Sequence, residues 1–233
     1  MKMKLMKSIA LIPARNGSVG IKNKNLIKLK GLPLIEYSFK ESIKSKFIHK
    51  IFLSTNDNKI KKLAKKYKKI EIINRKNKLC TSKALMSEVI CDAIKRIKKI
   101  HNLNNFNLIL LQPTSPLRKA KHIDYAISIF NKNRSSKNLV SISKPINHPY
   151  ELLYFRKNII KSINGFKQNI NRQDLKDFYF INGNIFISNA NEFLKKKKFL
   201  NKNTQTYKME KKYSIELDDY IDLKIIRGLM NDF

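Results

Sequence analysis

Short apolar runs alternate with segments of helical periodicity along most of this 233-residue chain, and that alternation leaves few architectures open. Continuous apolar runs at 8–12 and 108–111, with further strand-like runs at 50–55, 70–73 and 139–142, suit strands buried on both faces of a parallel sheet. Between them the spacing predicts helices over 33–46, entered through Pro33 in the first turn, and over 59–68, 84–100 and 120–133. In the third of these, Leu85, Val89, Ala93, Ile94, Ile97 and Ile100 hold helical spacing. Such alternation predicts an α/β fold built on a doubly wound, mostly parallel sheet. After Pro145 the pattern changes. Short alternating segments at 152–155 and 159–163 flank Asn164-Gly165 and read as a hairpin or meander, within an excursion at about 146–180. A strand at 180–188, a basic helix at 191–198, a strand-like run at 213–217 and a final helix at 219–230 return to the α/β pattern. The length suits a single domain over 1–233.

Two of these strands deliver polar loops. The first runs into Pro13-Ala14-Arg15-Asn16-Gly17-Ser18-Val19-Gly20-Ile21-Lys22-Asn23-Lys24-Asn25, where Gly17 and Gly20 let successive N–H groups turn toward an anion. Arg15, Lys22 and Lys24 add full charges around the same space. Neither the dinucleotide fingerprint nor the G-x-x-x-x-G-K-[ST] loop is present. Taken alone, this loop reads equally well as a strand-to-loop turn with scattered lysines. The second strand, Leu108-Ile109-Leu110-Leu111, ends in Gln112-Pro113-Thr114-Ser115-Pro116-Leu117-Arg118. In an open parallel sheet, loops at the carboxyl ends of the strands share one crevice, so both can face one ligand.

Near the end lies Ser214-Ile215-Glu216-Leu217-Asp218-Asp219. Strand alternation would put Glu216 and Asp218 on one face, and paired carboxylates suit magnesium held jointly with substrate phosphates. The same residues also read as a solvated turn, with Asp218 or Asp219 capping the next helix.

The formal net charge of +33, from 50 Lys and Arg against 17 Asp and Glu, attracts any polyanion. These cations are spread over helix faces rather than gathered on one element with interleaved aromatics, so no specific nucleic-acid site is expected, only weak, salt-sensitive adhesion. Cys80 and Cys91 make neither a disulfide framework nor a metal cluster. The apolar run at 8–12 is too short for a secretory signal, so a reducing cytoplasm is expected. No segment approaches transmembrane length, and no membrane partner is expected. His49, His101, His122 and His148 are scattered without ligand spacing or a nucleophile motif, against zinc and hydrolase chemistry.

Taken together, Pro13-Ala14-Arg15-x-Gly17-Ser18, Lys24-Asn25, Gln112-Pro113-Thr114-Ser115-Pro116-Leu117-Arg118, Arg172-Gln173-Asp174-Leu175, Asn182-Gly183 and Ser214-x-Glu216-x-Asp218 resemble the acylneuraminate cytidylyltransferase family over nearly the whole chain. The resemblance implies a Rossmann-like nucleotidyltransferase fold with a small β-rich dimerisation excursion. It further implies magnesium-dependent transfer of CMP from CTP to the anomeric hydroxyl of a nonulosonic (sialic-type) acid, with release of pyrophosphate. By the same resemblance, the nucleotide site draws on Ala14, Arg15, Asn16, Gly17, Ser18, Lys24, Asn25 and Arg75, with Arg15 and Lys24 on the triphosphate. Gln112, Ser115, Arg172 and Asn182 are assigned to the sugar, Arg118 either to the same loop or to structure, and Glu216 and Asp218 to magnesium and catalysis. Arg172 would reach the site of the other subunit in a homodimer. The chain departs from the family pattern at Val19, where lysine is usual, at Glu216, where aspartate is usual, at Phe180, where many members carry arginine, and in the loop 74–83. Two rivals remain: a relative acting on another 3-deoxy-2-keto sugar acid, such as an eight-carbon one, and a noncatalytic nucleotide or polyanion binder. The binder would need neither Glu216 nor Asp218.

Overall fold

The computed structural model describes residues 6–17, 20–133, 135–163 and 174–232. In chain order its elements are β1 (Ser8–Pro13), the small ladder β2 (Lys28–Leu29) and β3 (Leu32–Pro33), α1 (Leu34–Lys44), β4 (Ile48–Thr55), α2 (Asn58–Ala64), β5 (Ile70–Asn74), α3 (Met86–His101), β6 (Asn107–Leu110), α4 (Ala120–Lys132), β7 (Asn138–Ser143), β8 (Leu153–Arg156), β9 (Ile159–Ser162), β10 (Phe180–Asn189), α5 (Ala190–Lys196), β11 (Gln205–Lys208) and α6 (Tyr220–Leu229). No helix among the described residues is long and apolar enough to cross a membrane.

Successive side chains of a strand face opposite sides, and β1 is buried along its whole length, so it feeds two cores. Ile9 and Leu11 pack with Ile90, Ile94 and Ile97 of α3 and Phe193 of α5. Ala10 and Ile12 join the opposite core, with Phe39 of α1, Ile60 of α2, Ile127 of α4 and Ile226 of α6. Helices thus cover both faces of one seven-stranded sheet, ordered β11-β7-β10-β6-β1-β4-β5. β5, β4, β1 and β6 run parallel. β10 is antiparallel to both β6 and β7, and β11 is parallel to β7. The chain order reverses direction across the sheet at β1 and β6, which places the crevice at their carboxyl ends. Because β10 is antiparallel, its amino end, Phe180 to Asn184, arrives at that same edge.

The doubly wound, mostly parallel sheet is the one expected, with local differences. The run 213–217 forms no strand: Lys211–Tyr213 is a 3-10 turn and the next residues are irregular. Its apolar alternation is satisfied by packing, with Tyr213 and Leu217 buried, and the sheet edge is taken instead by β11, which had no reading as a strand. The hairpin of the excursion turns at Lys157 and Asn158, whose φ values of 49° and 59° fit a two-residue primed turn between Arg156 and Ile159. Asn164-Gly165 lies outside the described residues.

α4 carries a buried histidine whose chemistry couples stability to pH. His122 is 6% exposed, its Nδ1 accepts from the Lys119 N–H at 3.2 Å, and its ring meets Tyr213 edge-on at 4.5 Å. Burial, reinforced by Lys121, pushes its pKa from 6.5 to about 4. Between those values the unfolded chain binds the proton and the folded chain does not, so stability is lost as pH falls. His122 is expected to remove about 2 kcal/mol of stability between pH 7 and pH 5, against ~0 for His122→Gln. Urea unfolding of both proteins at the two pH values measures the difference, and parallel pH dependences would refute it.

Candidate functional site

The carboxyl edge of the sheet opens into a cavity of about 540 Å³ whose walls come from four separate segments. The first is the loop after β1. Ala14, buried, continues the strand by donating its N–H to the Ser54 carbonyl at 2.9 Å. The Asn16 N–H donates to Asn56 Oδ1 at 2.9 Å, and Asn25 Nδ2 donates to the Arg15 carbonyl at 3.4 Å. These bonds bring Arg15, Lys24 and Asn25 to the cavity, while Asn16 and Gly17 line a narrow cleft beside it. Ser18 lies outside the described residues.

The second segment follows β5. Arg75 is 6% exposed, and its guanidinium donates to Ser54 Oγ at 3.2 Å and to the Ser54 carbonyl at 2.9 Å. Burial lowers its pKa to about 10, Arg15 pushes in the same direction, and Cys80 opposes both. Arg15 itself donates to the Cys80 carbonyl at 3.4 Å. Two guanidiniums that repel each other at one wall make a seat that an anion would relieve.

The third and fourth segments face them. Gln112, Pro113 and Thr114 line the cavity after β6. The Thr114 carbonyl accepts the Leu217 N–H at 2.8 Å, which pins the 214–218 segment against this loop. With Leu217 inward, Glu216 and Asp218 both reach the cavity, although the segment is not a strand. Gly20 permits the approach of the opposing loop, since a Cβ there would stand 2.7 Å from the Asp218 carbonyl oxygen. Lys24 Nζ reaches across to Asp218 Oδ1 at 3.0 Å. Burial, then Asp218, raises the Glu216 pKa to about 7, while Arg118 and Lys24 pull it down. Asp219 caps α6 separately, its carboxylate accepting from the N–H groups of Ile221 and Asp222. The capping reading therefore belongs to Asp219, and Glu216 and Asp218 are left to the cavity.

Arg15, Lys24, Asn25, Arg75, Gln112, Glu216 and Asp218 thus line one cavity. Two residues assigned to the sugar sit elsewhere. Asn182 is fully buried, with Oδ1 accepting from Ser141 Oγ at 2.5 Å and Nδ2 donating to Ser214 Oγ at 2.9 Å, so its amide holds protein rather than ligand. Ser115 is 1% exposed and absent from the cavity wall. Arg172 lies outside the described residues. Arg118 is fully buried, donating to the Asn184 carbonyl and Ser38 Oγ at 2.6 Å each and to the Gln112 carbonyl at 3.1 Å, so its guanidinium bonds protein acceptors behind the cavity wall. Met86, at the start of α3, also joins the cavity wall, and an isolated methionine carries no signal of such a place in the sequence.

A divalent cation fits this donor set. Among the described residues no three His, Cys, Asp or Glu side chains gather into a protein-only cage. Two carboxylates beside a cationic anion seat instead suit a hard ion that takes its remaining oxygens from phosphate and water.

The family model of cytidylyltransferases matches residues 9–226. Over 98% of its length the chain is 33% identical to an N-acylneuraminate cytidylyltransferase of Streptococcus agalactiae serotype III (strain NEM316), spanning 54% of that protein. The chain thus covers about half of these longer relatives. A CMP-N,N'-diacetyllegionaminic acid synthase of Legionella pneumophila is 30% identical, with 97% of both chains covered. Among solved structures, a CMP:2-keto-3-deoxy-manno-octonic acid synthetase complexed with CTP shares the fold at a TM-score of 0.69 and 13% identity, over 97% of this chain and 99% of that one.

Proposed function

The chain belongs to the cytidylyltransferase family, and from that premise we propose that it transfers CMP from CTP to the anomeric hydroxyl of a nonulosonic acid, in the cytoplasm, with magnesium. The observation that carries the reading is the meeting of Arg15, Lys24 and Arg75 with Glu216 and Asp218 around one cavity. A polyanion binder would have no use for two carboxylates aimed at its own anion seat. Relatives named for neuraminic and legionaminic acids support the nine-carbon class of acceptor.

In this reading Arg15 and Lys24 neutralise the triphosphate, and Arg75 adds a third positive charge to the same wall. The acceptor hydroxyl loses its proton, its oxygen forms a bond to the α-phosphorus, and the bond from that phosphorus to the bridging oxygen breaks, so that pyrophosphate leaves in line. The Glu216 and Asp218 carboxylates, facing the same cavity, act together to accept the proton. Asp218 orients Lys24 through their 3.0 Å contact. The divalent ion, held by Glu216 and Asp218, would supply charge neutralisation on the phosphate oxygens. Gln112 and Thr114 form the acceptor side of the cavity.

The β8–β9 hairpin supports a homodimer. An isolated two-stranded ladder is marginal in water, yet Tyr154, Phe155, Ile159 and Ile160 are 47%, 77%, 58% and 45% exposed. A second copy is the partner proposed for this surface.

Pyrophosphate release from CTP and magnesium, read against neuraminic, legionaminic and pseudaminic acids with an eight-carbon keto-sugar acid as control, tests the function. Turnover with a nine-carbon acid and a product of CMP-sugar mass are expected. Turnover confined to the eight-carbon acid, or CTP binding with no transfer to any of them, would overturn it.

A further inference from the structure

β10 loses register with β7 between Ile181 and Phe186, and the residues at this irregularity touch three parts of the site. Asn182 ties Ser141 of β7 to Ser214, two residues before Glu216. Asn184 gives its carbonyl to Arg118, which also holds the Gln112 carbonyl. Between them, Gly183 lies at φ +64°, and a Cβ built on it would stand 1.3 Å from Glu216 Oε1 and 2.4 Å from its Cδ. The Glu216 carboxylate therefore occupies the space that any other residue at 183 would fill with its own side chain. Nothing in the sequence beyond the Asn-Gly pair marks this contact.

We propose that Gly183, flanked by the two buried asparagines, is the seat of the Glu216 carboxylate, and so a positioning residue for divalent-cation binding. The inference rests on the reading of Glu216 as a cation ligand. The physical logic is that of an outer support: a ligand carboxylate needs a fixed rest as well as a charge, and loss of such supports typically costs about 10- to 100-fold in metal affinity or activity. Because glutamate has the longer arm, its head reaches back over the strand to Gly183. Aspartate would stop one methylene short of it.

Three variants separate the possibilities, read by Mn²⁺ binding to the protein with CTP present, by CTP binding in EDTA, and by urea unfolding. Gly183→Ala is expected to weaken Mn²⁺ by about tenfold or more with CTP binding in EDTA within about threefold. Gly31→Ala, at φ +81° with nothing within 4 Å of its added Cβ, imposes the same backbone strain without the collision and is expected to leave Mn²⁺ binding unchanged. Gly183→Ala/Glu216→Asp, with the shorter arm, is expected to regain most of the lost Mn²⁺ affinity. Unchanged Mn²⁺ binding in Gly183→Ala, or no recovery in the double variant, overturns the seat. Should Gly183→Ala fail to fold, Ser214→Ala, which removes the Asn182 tie, is expected to weaken Mn²⁺ by about threefold, and no change there overturns the proposal. Glu216→Ala tests the underlying reading separately: if Mn²⁺ binding survives that change, Glu216 is not a ligand.

Discussion

Replacing Asp218 with alanine is expected to lower turnover by about 10²-fold or more, because the variant loses a cation ligand and the orientation of Lys24 together. CTP binding in EDTA should stay as tight or become tighter. Asp218 is 70% exposed on its side chain and stands 3.0 Å from Lys24 Nζ, so without a cation its carboxylate repels an approaching triphosphate. Removing it deletes that repulsion and the partner that competes with phosphate for Lys24. A catalytic defect coupled to unimpaired nucleotide binding would be hard to obtain from general damage to the fold. Pyrophosphate release and calorimetric CTP titration make the comparison, and retained turnover with unaltered metal dependence would overturn the role of this carboxylate.

The largest effect on stability is expected at Arg118. Its guanidinium is fully buried, and its three acceptors lie on three different parts of the molecule: Ser38 in α1, Gln112 in the loop after β6, and Asn184 in β10. Arg118→Ala removes the donor to all three and opens a cavity the size of the side chain. A loss of about 3–5 kcal/mol is expected, which in a domain of this size lowers Tm by about 10 °C. Arg118→Lys keeps the charge but not the planar fork, and should fall between the two. Calorimetry or urea unfolding reads the outcome, and a loss below about 1 kcal/mol in the alanine variant would show that the buried charge costs nearly as much as its bonds return.

The elements most legible in the sequence were those whose burial leaves no choice of residue. β1 and β6 are apolar on every position that counts because each face packs on helices, and the loops that follow them carry cations and prolines unsuited to continuing a strand. The β8–β9 turn is not legible, because Lys157-Asn158 lacks the glycine that usually signals a primed turn. Tyr213 to Leu217 alternates like a strand, but the pattern reports only which side chains are buried, not whether the backbone pairs. At the site, charge was legible and depth was not. Asn182 and Ser115 have the chemistry to hold a sugar, and only the packing of β7, β10 and the 214–218 segment shows that they are shut away. Gly183 matters through a contact with a residue 33 positions later, and such a relation has no signature in local sequence.

The insertion of β10 between β6 and β7 has a consequence for synthesis. A chain emerging from the ribosome can pair β1, β4, β5 and β6 as soon as Leu110 is out, but the other edge of β6 stays uncovered until Phe186 to Asn189 follow, about 80 residues later. At ordinary rates of translation that interval lasts several seconds, with a largely apolar strand edge open to pairing with another nascent chain. The exposed hairpin is made within the same interval. The carboxylates come later still, so an unfinished chain holds the cations of the cavity without their counterweights and would bind polyanions before it can act on any.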